Sequence, residues 1–235
     1  MKVNNNDDVS PRRKFLQTIG AGTAALGIAS VIAPIQKLQA GTTQDFLDDN
    51  TGPDDWFKQL KGKHRMVFDA TEPHEIFPFA WPRVFLLTNA ATGSSEKDVN
   101  SVVVLRHHAI PYAFPDKIWA KYNFGELFNI NDPKTNKPSL RNPFWKPQPG
   151  DFAVPGIGPV SIGINELQDS GVLFCVCNMA MTVYSAVAAD KMKLKAEDVK
   201  NEWTSNLLPN IPAMPSGVWA VGRAQEHGCG YCFVR

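Results

Sequence analysis

Four cysteines fall in two close pairs, Cys175-x-Cys177 and Cys229-x-x-Cys232. In a β-strand, residues two apart point to the same face, so Cys175 and Cys177 would be neighbours with Cα atoms about 6.5 Å apart. That is near the upper limit for a disulfide and argues against an unstrained bridge between them. Cys177 closes the apolar run Val172 to Val176, and a helical pattern follows at once. First-turn amides of such a helix favour a thiolate. Open α/β sheets hold their ligands at the carboxyl ends of the strands. Cys177 is therefore the expected reactive sulfur, and Cys175 the expected packing residue. The plainer alternative is that both thiols pack, because free cysteine is among the most buried residue types.

Cys229-Gly230-Tyr231-Cys232 lies at a helix-to-strand turn, with a spacing that suits a redox dithiol or half of a tetrahedral metal site. A thioredoxin-type motif follows a strand and opens a helix. This one does the reverse, so it lacks the helix N-terminus that makes such a thiol acidic, and a local structural disulfide is the modest reading. The two pairs together, Cys175, Cys177, Cys229 and Cys232, could hold a metal only if the last strand adjoins the Val172 strand. His107 and His108 end another strand at the same sheet edge, where adjacent residues face opposite ways, so at most one points at a shared pocket. A histidine and a cysteine at one edge are the parts of a His-assisted thiolate or a soft-metal site. A surface or core-satisfied histidine is the commoner case. His227, just before Cys229, is a further candidate ligand. Gly156-Ile157-Gly158-Pro159 lacks the preceding strand and full spacing of a phosphate-binding loop. The sequence requires no cofactor; a metal ion is what its cysteines could hold.

The elements that must position these residues alternate between strand and helix. His64 to Asp69 reads as the first strand. A helix spans about Phe79 to Ala91, with Pro82 tolerable only in its first turn and Val84, Leu87 and Ala91 on one face. Ser101 to Arg106 is a β-branched run of the kind buried on both faces of a parallel sheet. Phe114 to Tyr122 is helical. Prolines at 133, 138, 143, 147, 149 and 155 then break the pattern across residues 123–160. So long an irregular stretch tends to be functional or an oligomer contact, and its Phe128, Phe144, Trp145 and Phe152 argue against disorder. A short helix from Ser161 to Ser170, a buried strand Val172 to Cys177, and helices Met179 to Met192 and Ala196 to Leu207 follow. Ile211 to Met214 is a brief edge strand. Ser216 caps a helix that Gly228 ends, and Tyr231 to Val234 is the last strand. This alternation implies right-handed crossovers and a three-layer α/β domain over residues 63–235, with a mostly parallel sheet and helices on both faces.

The first 40 residues are of another kind. Ser10 to Leu16 read S-P-R-R-K-F-L, and an uncharged apolar stretch runs from Ile19 to Ile35. That is the layout of a twin-arginine export signal, with Leu38-Gln39-Ala40 before Gly41 as the cleavage site. The alternative is a retained membrane anchor, for which about 17 residues diluted by Ala and Gly is the lower limit. The export reading makes the twin-arginine machinery a partner, places the mature chain in the periplasm, and puts its cysteines in an oxidising compartment. Residues 41–62 read as a polar, acidic arm with one short helix around Trp56 to Leu60. Of 24 Lys/Arg and 23 Asp/Glu, five and two lie before Gly41, so the remainder is slightly acidic. It carries no basic block, and its charge gives no support to a nucleic-acid or anionic-membrane partner.

The segment Gly171-Val172-Leu173-Phe174-Cys175-Val176-Cys177-Asn178-Met179-Ala180-Met181 resembles the cysteine-bearing strand of DsrE/DsrF-like proteins. There a Gly-Val start leads to a cysteine six residues after the glycine. Pro215-Ser216-Gly217-Val218, continuing through Gln225 and Gly228 to Tyr231, is similar to that family's closing helix and strand. The strands at His64 to Asp69 and ending Leu105-Arg106-His107 also suit it, so the resemblance runs from about His64 to Val234. It implies a compact three-layer, flavodoxin-like fold, homo-oligomers such as trimers or hexamers, and sulfur relay with a donor or acceptor protein. Cys177 would be the persulfide carrier, with His107 or His108 as its proton partner. The chain departs from the family in its export signal, its Pro-rich insertion, and its extra cysteines at 175, 229 and 232. The competing readings are a metal-binding module and a non-catalytic oligomeric scaffold.

Overall fold

The β-branched runs form one five-stranded, wholly parallel sheet. In the computed structural model, which describes residues 52–234, β1 is His64–Ala70, β2 Val99–Leu105, β5 Val172–Cys177, β6 Ala213–Met214 and β7 Gly230–Val234. A separate antiparallel pair, β3 (Ala153–Val154) and β4 (Gly158–Pro159), lies within the Pro-rich stretch. The sheet order is β6-β5-β2-β1-β7. β2 and β5 are central, and their unbroken apolar sequences follow from burial on both faces. β6 pairs only through Val176 with Ala213 and Cys177 with Met214, the short edge strand that its flanking prolines dictate. The segment read as a twin-arginine signal and the first half of the acidic arm lie outside the described residues.

The direction of travel decides which face each helix covers. From β1 through β2 and β5 to β6 the chain moves one way across the sheet. Right-handed crossovers therefore stack those connections on one face. They are α1 (Phe77–Ala91), α2 (Asp116–Tyr122), α3 (Phe124–Leu127), α4 (Ile164–Asp169), α5 (Asn178–Met192) and α6 (Ala196–Thr204). From β6 the chain returns across the sheet to β7, so α7 (Gly217–Glu226) must cover the opposite face. It does so together with a 3₁₀-helix at Pro53–Gln59. The expected three-layer α/β arrangement results.

Alternation along the strands splits the core in two. Phe68, Val103, Leu105, Phe174 and Val176 meet Phe79, Ile110, Phe114, Trp119, Met181 and Trp203 in the larger part. Val67, Val102, Val104 and Cys175 meet Phe57, Ala220 and Ala224 beneath α7.

One expectation changes and two are filled in. α1 begins at Phe77, so Pro82 stands in its second turn rather than its first. The Val84–Leu87 face of α1 points outward, because Phe79, Ala80 and Pro82 supply its buried side. The Pro-rich stretch, expected to be functional or an oligomer contact, contributes to the larger core. Phe144 stacks between Phe79 and Phe152 at centroid distances of 4.2 and 4.6 Å. Buried Asn142 donates to the carbonyls of Tyr112 and Phe114 and accepts from the Phe144 amide, which fixes an otherwise irregular backbone. Gly125 lets the segment close on itself, since a Cβ there would lie 2.1 Å from the Ser139 nitrogen.

Candidate functional site

β5 and β6 are adjacent, yet the connection leaving β5 goes to one face of the sheet and that leaving β6 to the other. This is the topological switch point, where open parallel sheets leave a crevice for ligands at their carboxyl ends. Cys177 is the last residue of β5 and pairs with Met214 of β6. It is also the N-cap of α5, its Sγ accepting the Ala180 N–H at 3.2 Å. Two residues beyond Met214, Ser216 caps α7 by accepting the Trp219 N–H. One sulfur thus sits at the start of one helix and beside the strand that feeds another. Aligned first-turn N–H groups favour negative charge there.

A charged cluster backs this crevice. Arg106, directly after β2, donates Nε and Nη2 to the two oxygens of Asp69 at 2.6 and 2.8 Å. Tyr231 of β7 donates its hydroxyl to the same carboxylate at 2.8 Å. Asp69 sits near the end of β1 with its side chain 3% exposed, whereas that of Arg106 is 26% exposed. The hydrogen bond from the guanidinium to Asp69 holds Arg106 firmly charged against the opposing cost of burial. Gly217, the first residue of α7, packs on the Arg106 stem, and a Cβ there would lie 2.5 Å from the Arg106 Cβ. Sequence reasoning assigned none of Asp69, Arg106, Gly217 and Tyr231 to the site. An aspartate ending an apolar parallel strand, with an arginine at the end of the next, was the available signal.

Cys175, two residues earlier on β5, packs in the other part of the core from Cys177. It is 0% exposed under α7, against 6% for Cys177, and burial pushes its thiol far up. It packs against Val67, Val102, Val104 and Ala220. The four-sulfur metal site is ruled out by strand order: β7 joins β1, leaving β2 and β1 between it and β5, a span of roughly 14 Å. All four cysteines are free thiols in this structure, the Cys229–Cys232 pair included. Burial pushes the Cys229 thiol up to about 11 despite nearby Arg65, and raises Cys232 as well. His227 stacks on Phe57 and faces Asp54 across 3.7 Å, occupied away from any sulfur ligand set.

The two histidines behave differently from expectation. β2 ends at Leu105, and His107–Ala113 is a 3₁₀-helix whose first residue has φ +52°. The strand alternation that would separate the rings therefore no longer applies. Both Nδ1 atoms face Glu72, His107 at 3.1 Å and His108 at 3.0 Å. Tyr184 borders both rings from α5, about two turns along that helix from Cys177. Neither imidazole hydrogen-bonds Cys177; Arg106 is near enough for its charge to be felt at that sulfur. A cleft of about 680 Å³ lined by Trp56, Val172, Leu208 and Pro212 opens at the amino end of β5, the wrong end for this chemistry.

No protein-family model matches the chain, and no curated protein matches it. A solved structure of a protein of unknown function from Methanobacterium thermoautotrophicum is similar over 73% of this chain and 99% of that chain. At 17% identity and a TM-score of 0.36 that likeness carries no argument about the site.

Proposed function

We propose that the chain is an exported, DsrE-like protein that handles sulfur on Cys177. The observation that carries this reading is one sulfur, capping α5, at the topological switch point of a parallel sheet with a fixed guanidinium close by. The transfer is a thiol exchange and needs no outside oxidant. The Cys177 thiolate attacks the outer sulfur of a donor persulfide; a new S–S bond forms, the donor's S–S bond breaks, and the donor leaves as a thiolate with the electron pair. An acceptor thiolate reverses the sequence and releases Cys177. The α5 amides and Arg106 stabilise the anion at both stages. Arginine stays protonated, so its part is electrostatic and proton transfer falls to water or the partner.

The same reading takes the mature chain from near Gly41 into the periplasm through the twin-arginine machinery, and has it work as a homo-oligomer with a sulfur donor or acceptor protein. Among the described residues no helix is long and apolar enough to cross a membrane. The outward stripe of Trp81, Val84 and Leu87 on α1 supports self-association.

The reduced protein, given a low-molecular-weight persulfide and digested, should carry one additional sulfur on the Cys177 peptide. Iodoacetamide should modify Cys177 first in the folded state, and Cys177→Ser should abolish both signals. Sulfur accumulating on Cys229 or Cys232 instead, or no thiol reacting before unfolding, would overturn the assignment.

A further inference from the structure

We propose that Glu72, His107 and His108 bind a divalent first-row transition metal ion at the carboxyl edge of β1 and β2, independently of the sulfur site. One ligand atom from each of the three lies within 4.8 Å of the others. A tetrahedral ion bound at about 2.0–2.1 Å holds its ligands ~3.3 Å apart. His107 Nδ1 lies 3.1 Å from one Glu72 oxygen and His108 Nδ1 lies 3.0 Å from the other, each pair within a few tenths of an ångström of that separation. An ion entering here would take the place of these imidazole–carboxylate contacts, drawing together ligand atoms that already lie within 4.8 Å of one another.

The backbone fixes the group before any ion arrives. The His108 N–H donates to the Thr71 carbonyl, and the Arg106 N–H to the Ala70 carbonyl, so the segments leaving β1 and β2 are laced together where the ligands stand. His107 takes the left-handed backbone at φ +52°, uncommon for any residue but glycine, which brings its ring to 4.2 Å from that of His108 on the same side. Tyr184 and Phe128 flank the rings and limit their rotation. Strain of this kind persists where surrounding structure enforces it, and it is enriched at binding sites.

The donor set selects the ion. Two imidazoles and a carboxylate suit zinc, nickel, copper or iron, and not magnesium or calcium, which take oxygen ligands. Side-chain exposures of 51% for His107, 39% for His108 and 41% for Glu72 leave the far side of the ion open to water or a fourth ligand. A three-ligand set with an open position is the arrangement of reactive rather than structural sites.

The test is calorimetric titration of the chelator-stripped, reduced protein with zinc at neutral pH. One site per chain is expected in the wild type and in Cys177→Ser. Glu72→Gln, His107→Ala and His108→Ala should each weaken it at least tenfold, on the order of the effects seen when a metal site loses a supporting group. Cobalt bound in place of zinc should show no thiolate charge-transfer absorption. His64→Ala, at the far end of β1, serves as control and should bind normally. Loss of binding in the cysteine variant, a thiolate band with cobalt, or equal affinity in wild type and Glu72→Gln overturns the proposal. Circular dichroism of each variant separates loss of the site from loss of the fold. Failure of this test leaves sulfur transfer at Cys177 untouched, since that is read by a different modification.

Discussion

Replacing Asp69 by alanine removes the carboxylate on which three hydrogen bonds converge. Arg106 loses the partner of both arms of its fork, and the Tyr231 hydroxyl loses its acceptor. Breaking a buried ion pair from one side costs about 3–5 kcal/mol when the remaining charge is fully shut in. Arg106 is about a quarter exposed, so water recovers part of that, and the net loss should be about 2–4 kcal/mol. Arg106→Ala should be the worse of the two single changes. It strands a carboxylate whose side chain is 3% exposed, with Tyr231 as its remaining donor. Removing both groups together should cost clearly less than the sum of the two, because neither charge is then left alone. Urea unfolding of the four proteins gives the cycle directly, read as shifts of midpoint at constant slope. Strict additivity, or an Arg106→Ala protein as stable as wild type, would show that the cluster is incidental. Arg106→Ala should also slow alkylation of Cys177, whereas Tyr231→Phe should cost only about 1 kcal/mol and leave that rate nearly unchanged.

Trp203→Ala should cost about 3–5 kcal/mol, because the ring is fully buried against Phe114, Tyr122 and Phe124 and leaves a large cavity; the same unfolding assay reads it. Hydrogen bonds from Lys121 and then Tyr122 hold the Glu202 carboxyl below its ordinary range, so the stabilisation is present above that range and fades as pH falls through the folded value. Glu202→Gln should therefore lower the melting temperature at neutral pH, by about 1 kcal/mol of stability, and the gap from wild type should close in acid. Alkylation of Cys229 should stay slow at pH 7 and rise about tenfold per unit toward pH 11, following its thiolate fraction. Gly217→Val should displace Arg106 and slow Cys177 labelling, since the new Cβ meets the Arg106 stem.

Much of the scaffold was legible because local signals and tertiary demands agree. The run Val172 to Cys177 is apolar throughout and is buried on both sides as a central parallel strand. Ser216 and Gly228 mark the ends of α7 through the physics of an N-cap and a positive φ of +84°. α1 misled because its apolar residues outnumber those the core can take. Periodicity places Val84 and Leu87 on one face without saying that this face is buried. The Pro-rich stretch was legible as ordered from its aromatics, but not as core, because Phe79 and Phe144 are brought together only by the sheet.

The sites divide along a similar line. The candidate Cys177 could be picked out from one strand and one helix, because the strand end and the Ala180 amide at its sulfur are contiguous in sequence, whereas Arg106 comes from another strand. The Asp69, Arg106 and Tyr231 cluster draws on three strands whose order no local pattern reveals; β7 reaches β1 only because α7 recrosses the sheet. The histidine pair fails the strand rule for a different reason. Alternation holds as long as the ladder does, and the ladder stops at Leu105, two residues before His107. Past that point a 3₁₀ turn and a left-handed residue set the side-chain directions. Two rings expected on opposite faces then converge on one carboxylate. Chemistry placed at the carboxyl edge of a parallel sheet sits where the regular geometry ends, so strand periodicity can point to the edge but cannot aim the groups beyond it.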